Sequence, residues 1–220
     1  MEWFYGLPMG QNNMEEMLEK FNIRELIEYE RYCRDYEHFD EERRLYHDDA
    51  VVWTSWYKGS ADGFITASCK NSKGKKPAKH KINDILVWLN GNRAVAECIC
   101  TIQFRDTFGE ELVDLHSYMR LHYRLEKREE GLWKICSFQG IHEKDTLQSA
   151  FNDGKWSAPR EEVQKYRPCF WNMMYRQHVF KPKGNTPQDD SVGEDIPEKV
   201  RELYFESSKW IFERNKSTET

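Results

Sequence analysis

No stretch of this sequence approaches the roughly 20 consecutive apolar residues that a spanning helix needs. Charged residues take up 32% of its 220 positions, so a membrane-embedded fold is not expected. Residues Met1 to Gly10 contain Trp3, Phe4 and Tyr5 but no basic start followed by an apolar stretch. No export leader is read there, and a cytoplasmic location is expected. A surplus of positive charge is also missing: 33 Lys and Arg stand against 38 Asp and Glu, a net charge of −5. Nucleic-acid binding rests on clustered Lys and Arg, and the one basic cluster, Lys70 to Lys81, reads as a solvated loop. Neither nucleic acid nor membrane is an expected partner. The cysteines at 33, 69, 98, 100, 136 and 169 form no C-x-x-C pair. Cys98 and Cys100 alternate along a strand-like run and point to one face. The expectation is reduced, buried thiols, with no metal site and no cofactor.

Apolar residues are present at 39%, enough for a core. They follow two periods in succession. A helical stripe runs from about Met14 to His38 through Ile23, Leu26, Ile27 and then Glu30 or Arg31, continued by Cys33 and Tyr36, with Asn12 or Asn13 as N-cap and Glu15 and Glu16 in the first turn. A short helix over Asp40 to Tyr46 follows. Ala50 to Tyr57 is β-branched and aromatic and reads as a strand. Lys58-Gly59-Ser60 is a turn, and Ser60 to Lys70 a third helix. After the polar Lys73 to Pro77 come four strand-like runs: Lys79 to Leu89, Ala94 to Thr107, Leu112 to Glu126 and Leu132 to His142. Asn90-Gly91-Asn92 between apolar runs is a strong hairpin signal, so an antiparallel meander is expected. Beyond Asp145, Arg160 to Gln177 reads as a helix split at Pro168. Lys181 to Pro197 reads as a loop, and Glu198 to Asn215 as a terminal helix.

The order of these elements, with the runs Ile23 to Asp35, Leu45 to Val52, Gly91 to Val95 and Gly131 to Ile135, resembles SnoaL-like and nuclear-transport-factor-2-like proteins over about Asn22 to Glu143. The resemblance implies an α+β fold. A strongly curved antiparallel sheet would form a cone-shaped barrel around the N-terminal helices over residues 1–145. A mostly helical extension over 146–220 would serve as a lid or a dimer contact. Within that superfamily the chain is similar to scytalone dehydratase and the bile acid dehydratases. That likeness implies a pocket pair of Asp35 and His80. It also implies a basic residue nine positions after Trp133, which is His142, and a polar side chain on the next-to-last strand, Tyr118 or Arg120.

Such a pocket needs a base to remove a proton beside a carbonyl and a donor to stabilise the resulting oxyanion. His80 is the expected proton-transfer group and Asp35 its orienting carboxylate, with His142 also placed in the catalytic set. Tyr32, Tyr118, Arg120 or His142 would bond a substrate oxygen, and Trp53 and Phe104 would line the pocket. Trp56, Trp88 and Phe138 are further candidates for the wall. The expected activity is a cofactor-independent dehydratase or isomerase acting on a hydrophobic polyketide-, steroid- or aromatic-like hydroxy- or keto-compound. A homodimer or homotrimer is expected. Two departures from the enzymes keep a second option open. Glu30 stands where many have a helix Tyr, and no acid or His occurs around Ile102 to Phe104. The alternative is a non-catalytic small-molecule binding protein or an assembly subunit of the same fold.

Overall fold

The computed structural model describes residues 13–73, 78–151, 156–180 and 190–213. Helix α1 (Met14–Asp35) starts where Asn13 accepts a hydrogen bond from the Glu16 backbone N–H. Its inward stripe buries Ile23 and Ile27 completely, worth about 2 kcal/mol each. Helix α2 (Phe39–Arg44) turns the chain into strand β1 (Tyr46–Trp53), which starts earlier and ends sooner than the apolar run suggests. Strand β2 (Lys58–Ser60) hairpins back onto β1. Helix α3 (Ala61–Ser72) is capped by the Ser60 hydroxyl, which accepts from the Gly63 N–H at 3.1 Å.

Strands β3 (Lys79–Asn90), β4 (Arg93–Phe108), β5 (Glu111–Lys127) and β6 (Trp133–Ser149) form the meander. Gly91 and Gly131, at φ 58° and 70°, supply the left-handed backbone of two of its turns. The sheet order is β2-β1-β6-β5-β4-β3, with β1 parallel to β6 and the other pairs antiparallel. The edges do not join, so the expected barrel is an open, curved sheet. Register shifts at Asn83/Ile85, Tyr118/Met119 and Arg124/Leu125 bend it, as bulges do. The concave face holds the core against α1 and α3, with Phe64, Leu121, Tyr123 and Phe138 buried there.

Strand β6 continues to Ser149, across the boundary anticipated near 145. The expected helix over 160–177 is a short α4 (Arg160–Val163), a 3-10 turn (Pro168–Phe170) and α5 (Trp171–Phe180), divided where Pro168 falls. Phe170 and Met174 are fully buried against Leu115. Helix α6 (Pro197–Phe212) lies on the convex face of this same chain, where Val200 and Leu203 cover Ile141, and Ile211 covers Trp88 and Val95. Most of the expected 181–197 loop, residues 181–189, and residues 74–77 of the basic stretch lie outside the described residues. All six cysteines are free thiols. No described helix is long and apolar enough to cross a membrane.

Candidate active site

Asp35 is the last residue of α1, one turn after Arg31 on the buried face. His80 is the second residue of β3. The Asp35 carboxylate grips it twice: Oδ2 accepts the His80 backbone N–H at 2.6 Å and Oδ1 meets the ring Nδ1 at 2.5 Å. Lys79 Nζ donates to the Asp35 backbone carbonyl at 2.5 Å, which ties the strand start to the helix end. Both side chains of the pair are below one-tenth exposed. An ionised carboxylate only accepts, so Nδ1 carries the proton and Nε2 keeps the lone pair. Burial opposes ionisation of Asp35, but the hydrogen bonds and charge of His80 outweigh it and hold the carboxyl below its usual range. For His80 burial wins over Asp35, and the nearby Arg31 charge adds to it, so the imidazole pKa is depressed. At neutral pH this is a neutral imidazole fixed in one tautomer, the form a general base requires.

The pair opens into a cavity of about 410 Å³ between α1, α3, α5 and the concave sheet. Its wall is largely apolar, with Trp56, Phe64, Phe104, Leu121, Phe138 and Met173 among the lining side chains. Three arginines reach it. Arg31 is locked to Glu30 and stacks over Phe138. Arg34 bonds the Ser68 hydroxyl, lies over the Phe64 ring at 4.1 Å and has a loose ion pair to Glu42 at 3.8 Å. Arg176 bonds Asp106 and lies 4.0 Å over Phe104. Behind Arg31 and Arg34, Glu30 accepts the Tyr46 hydroxyl at 2.8 Å, and Glu42 is fully buried. Burial, reinforced by Glu30 and opposed by Arg34, pushes the Glu42 carboxyl up to about 7.

His142 also lines the cavity, edge-on to Phe170 and 1% exposed. Its backbone is held by residues beyond the sheet: its N–H donates to the Val192 carbonyl, and its own carbonyl accepts from Glu194. Burial first, and then the Arg167 charge, push its imidazole down to about 4.

Of the expected site residues, Asp35, His80, His142 and Phe104 face one cavity. Tyr32, Trp53, Tyr118 and Arg120 do not, which corrects the expected pocket lining. Tyr32 is half exposed and packs on the outer side of α1 with Tyr36, which leaves the expected apolar stripe, because the inward face passes through Arg31 and Asp35. Trp53 lies under Lys58 Nζ, 3.6 Å from its ring centroid, and Trp56 takes the wall position instead. On β5 the concave row is Leu115, Ser117, Met119, Leu121 and Tyr123. Tyr118 and Arg120 belong to the convex row. There Arg120 is bound by Glu97, Glu143, Glu194 and the Tyr204 hydroxyl of α6. Trp88 is likewise on the convex face. Arg34, Arg176 and Gln177 also line the cavity and are not among the expected site residues. The signal for Arg34 lies in the sequence, since it follows Arg31 by three positions on one helix face.

A SnoaL-like domain family model matches residues 15–139, more than half of the chain. The chain belongs to the SnoaL-like domain family. No curated protein sequence matches it. Solved structures share the fold of this SnoaL-like protein at low identity. A hexachlorocyclohexane dehydrochlorinase, LinA type 2, is 13% identical with a TM-score of 0.54, covering 67% of this chain and 99% of its own. A candidate scytalone dehydratase from Novosphingobium aromaticivorans is 16% identical with a TM-score of 0.51, covering 64% and 97%. A protein of unknown function from Mycobacterium tuberculosis is 13% identical with a TM-score of 0.52, covering 80% and 96%. His142, Arg176 and Gln177 fall after the part of the SnoaL-like chain that the family model matches.

Proposed function

We propose that this SnoaL-like protein is a cofactor-independent dehydratase or isomerase that moves a proton on a hydrophobic hydroxy- or keto-compound held in the cavity. The observation that carries it is the double grip of Asp35 on a buried, neutral His80 inside a largely apolar cavity. His80 Nε2 takes the proton from the carbon next to a substrate carbonyl. The electron pair moves toward the carbonyl oxygen, and Arg34 faces the developing charge with a guanidinium whose ion pair to Glu42 is loose. In isomerisation the imidazolium returns the proton at another carbon. In dehydration the C–O bond at the β position breaks, and hydroxide leaves with that proton as water. Asp35 stabilises the imidazolium while it exists and keeps Nε2 aimed at the cavity. Two fold relatives are named for eliminations, one of water and one of hydrogen chloride, and this is consistent with such chemistry in the same scaffold.

The test is solvent-deuterium incorporation. Cyclic ketones, enones and β-hydroxy ketones are incubated with the protein in deuterated buffer, and exchange and loss of water are followed by mass spectrometry. Exchange that both Asp35→Asn and His80→Ala abolish is the expected result. Its absence across the panel, in a protein that binds one of these compounds, would favour the non-catalytic binding protein.

A further inference from the structure

A helix that packs within one chain needs a single apolar stripe, and α1 carries two. Ile23 and Ile27 take the inner one into the core. The outer one runs through Met14, Met17, Leu18 and Phe21, then through Tyr29, Tyr32 and the C-cap Tyr36. These seven side chains are 45% to 81% exposed, and they make up almost half of the fifteen large apolar side chains left exposed among the described residues. At 3.6 residues per turn they fall within about 60° of one direction, with Ile23 opposite. Apolar side chains scattered singly on a surface are ordinary, whereas a continuous group of them marks an interaction surface. Half-exposed side chains of this size offer about 100 Å² each, so the stripe presents roughly 700 Å².

A stable interface takes about 800 Å² from each partner, so the stripe alone comes close to one side of a dimer. Its order points to the other side. Met14, Leu18 and Phe21 stand eleven, seven and four residues before Glu25, and Tyr36, Tyr32 and Tyr29 stand eleven, seven and four residues after it. A second copy laid antiparallel about a twofold axis at Glu25 therefore sets the first half of each helix against the tyrosine half of the other. That is the self-complementarity a twofold interface requires. A shallow groove bordered by Leu26, Tyr29, Tyr32 and Leu45 lies beside the stripe and has room for Leu18 of the partner subunit. An anionic membrane surface fits less well, because the exposed charges along this face at Glu15, Glu25 and Glu28 are acidic. The expected dimer contact of the C-terminal extension is used within the chain, where α6 covers Ile141, Trp88 and Val95.

We propose that the outer stripe of α1 is a homodimer interface, in which the α1 helices of two copies pack antiparallel with Glu25 at the twofold axis. The apolar side chains then lie on both sides of one central carboxylate, which meets its own copy. Two like charges at that point weaken the dimer, so Glu25 sets its affinity and marks its register. The interface stands apart from the chemistry proposed for the cavity, which is on the other side of the same helix.

The experiment is sedimentation velocity of the full chain over a concentration series. Wild type forms a dimer with a dissociation constant of about 10 µM, the weak end for an interface of this area. Phe21→Glu and Tyr32→Glu each weaken it by about thirtyfold or more, since a charge then enters the apolar seam. Both side chains are half exposed, and an unchanged circular dichroism spectrum shows that the fold is kept. Glu25→Gln tightens the dimer by about threefold. Glu25→Cys is joined into a covalent dimer by a short bis-maleimide, with wild type as the blank, and Glu202→Cys on the exposed side of α6 is not. A wild-type chain still monomeric at about twenty times the expected dissociation constant overturns the interface. So does a dimer that neither Phe21→Glu nor Tyr32→Glu weakens, or one that links through Glu202→Cys and not through Glu25→Cys. A dimer that Glu25→Gln leaves unchanged or weakens overturns the antiparallel register.

Discussion

His142 makes the fold acid-sensitive over a defined range. Its imidazole is pushed from an ordinary 6.5 down to about 4 in the folded chain, by burial and then by Arg167. As pH falls below 6.5 the unfolded chain therefore binds this proton first, and stability declines until the folded side chain also titrates near 4. At pH 4.5 the unfolded imidazole is almost fully charged and the folded one only about a quarter so. The difference amounts to roughly 2–3 kcal/mol, and at pH 7.5 it is close to nil. His142→Gln keeps a polar side chain and removes the titration. Urea unfolding of both proteins at pH 7.5 and 4.5 is the assay, and wild type should lose about 2–3 kcal/mol more than the variant over that interval. His80 and His122 are also held below their ordinary value by burial, but they titrate in both proteins and cancel. A general destabilisation by the substitution cancels as well, because only the difference between the two pH values is compared. Equal losses in the two proteins would refute the reasoning, since His142 would then be charged in the folded state or solvated within it.

Asp35→Asn should leave the fold intact but free the imidazole to adopt the wrong tautomer, reducing deuterium exchange by about a hundred- to ten-thousand-fold; an unchanged exchange rate would remove the dyad from the chemistry. Glu42 shows the opposite linkage. With its carboxyl raised to about 7, the folded chain holds that proton more tightly than the unfolded one, and stability falls as pH rises from about 4.5 through 7. Glu42→Gln should therefore raise the melting temperature relative to wild type more at pH 8.5 than at pH 5.5, and parallel melting curves at both would contradict it. Ser60→Ala removes the hydroxyl that caps α3 and should reduce unfolding free energy by about 1 kcal/mol, read from urea unfolding.

The order of helices and strands was legible because each element carries its own period and punctuation. Ile23 and Ile27 mark a helical stripe, Asn90-Gly91-Asn92 a hairpin, and Pro168 a break. The strand pattern from Leu132 ends at His142, yet β6 runs to Ser149. The residues from Glu143 to Thr146 are all polar and offer no alternation to follow. Strand β5 shows why the site was harder. Its alternation assigns Leu115, Met119 and Leu121 to one face, but Arg120 and His122 in the opposite row are also enclosed, by α6. A chemically rich row looks like a pocket until the partner that covers it is known, and here that partner lies more than 80 residues further along the chain, at Tyr204 and Ser207. Asp35 and His80 come from the family resemblance and not from local pattern, which runs the helix on to His38, whereas α1 ends at Asp35. Arg176 and Gln177 are marked by neither, because nothing in their neighbourhood says that α5 turns back over the concave face.

The division of the cavity between two stretches of chain has an evolutionary consequence. The Asp35–His80 pair lies within the family-matched residues, and the wall from His142 and α5 lies after them. Mutations in the second stretch can therefore alter which molecules the chamber accepts while leaving the paired carboxylate and imidazole in register. Under the proposed function, gene fusions, tail exchanges and drift in this late segment become a route to new substrate ranges that does not require reinventing the chemistry. In a laboratory setting, the same separation makes residues 171–180 the natural place to build a library.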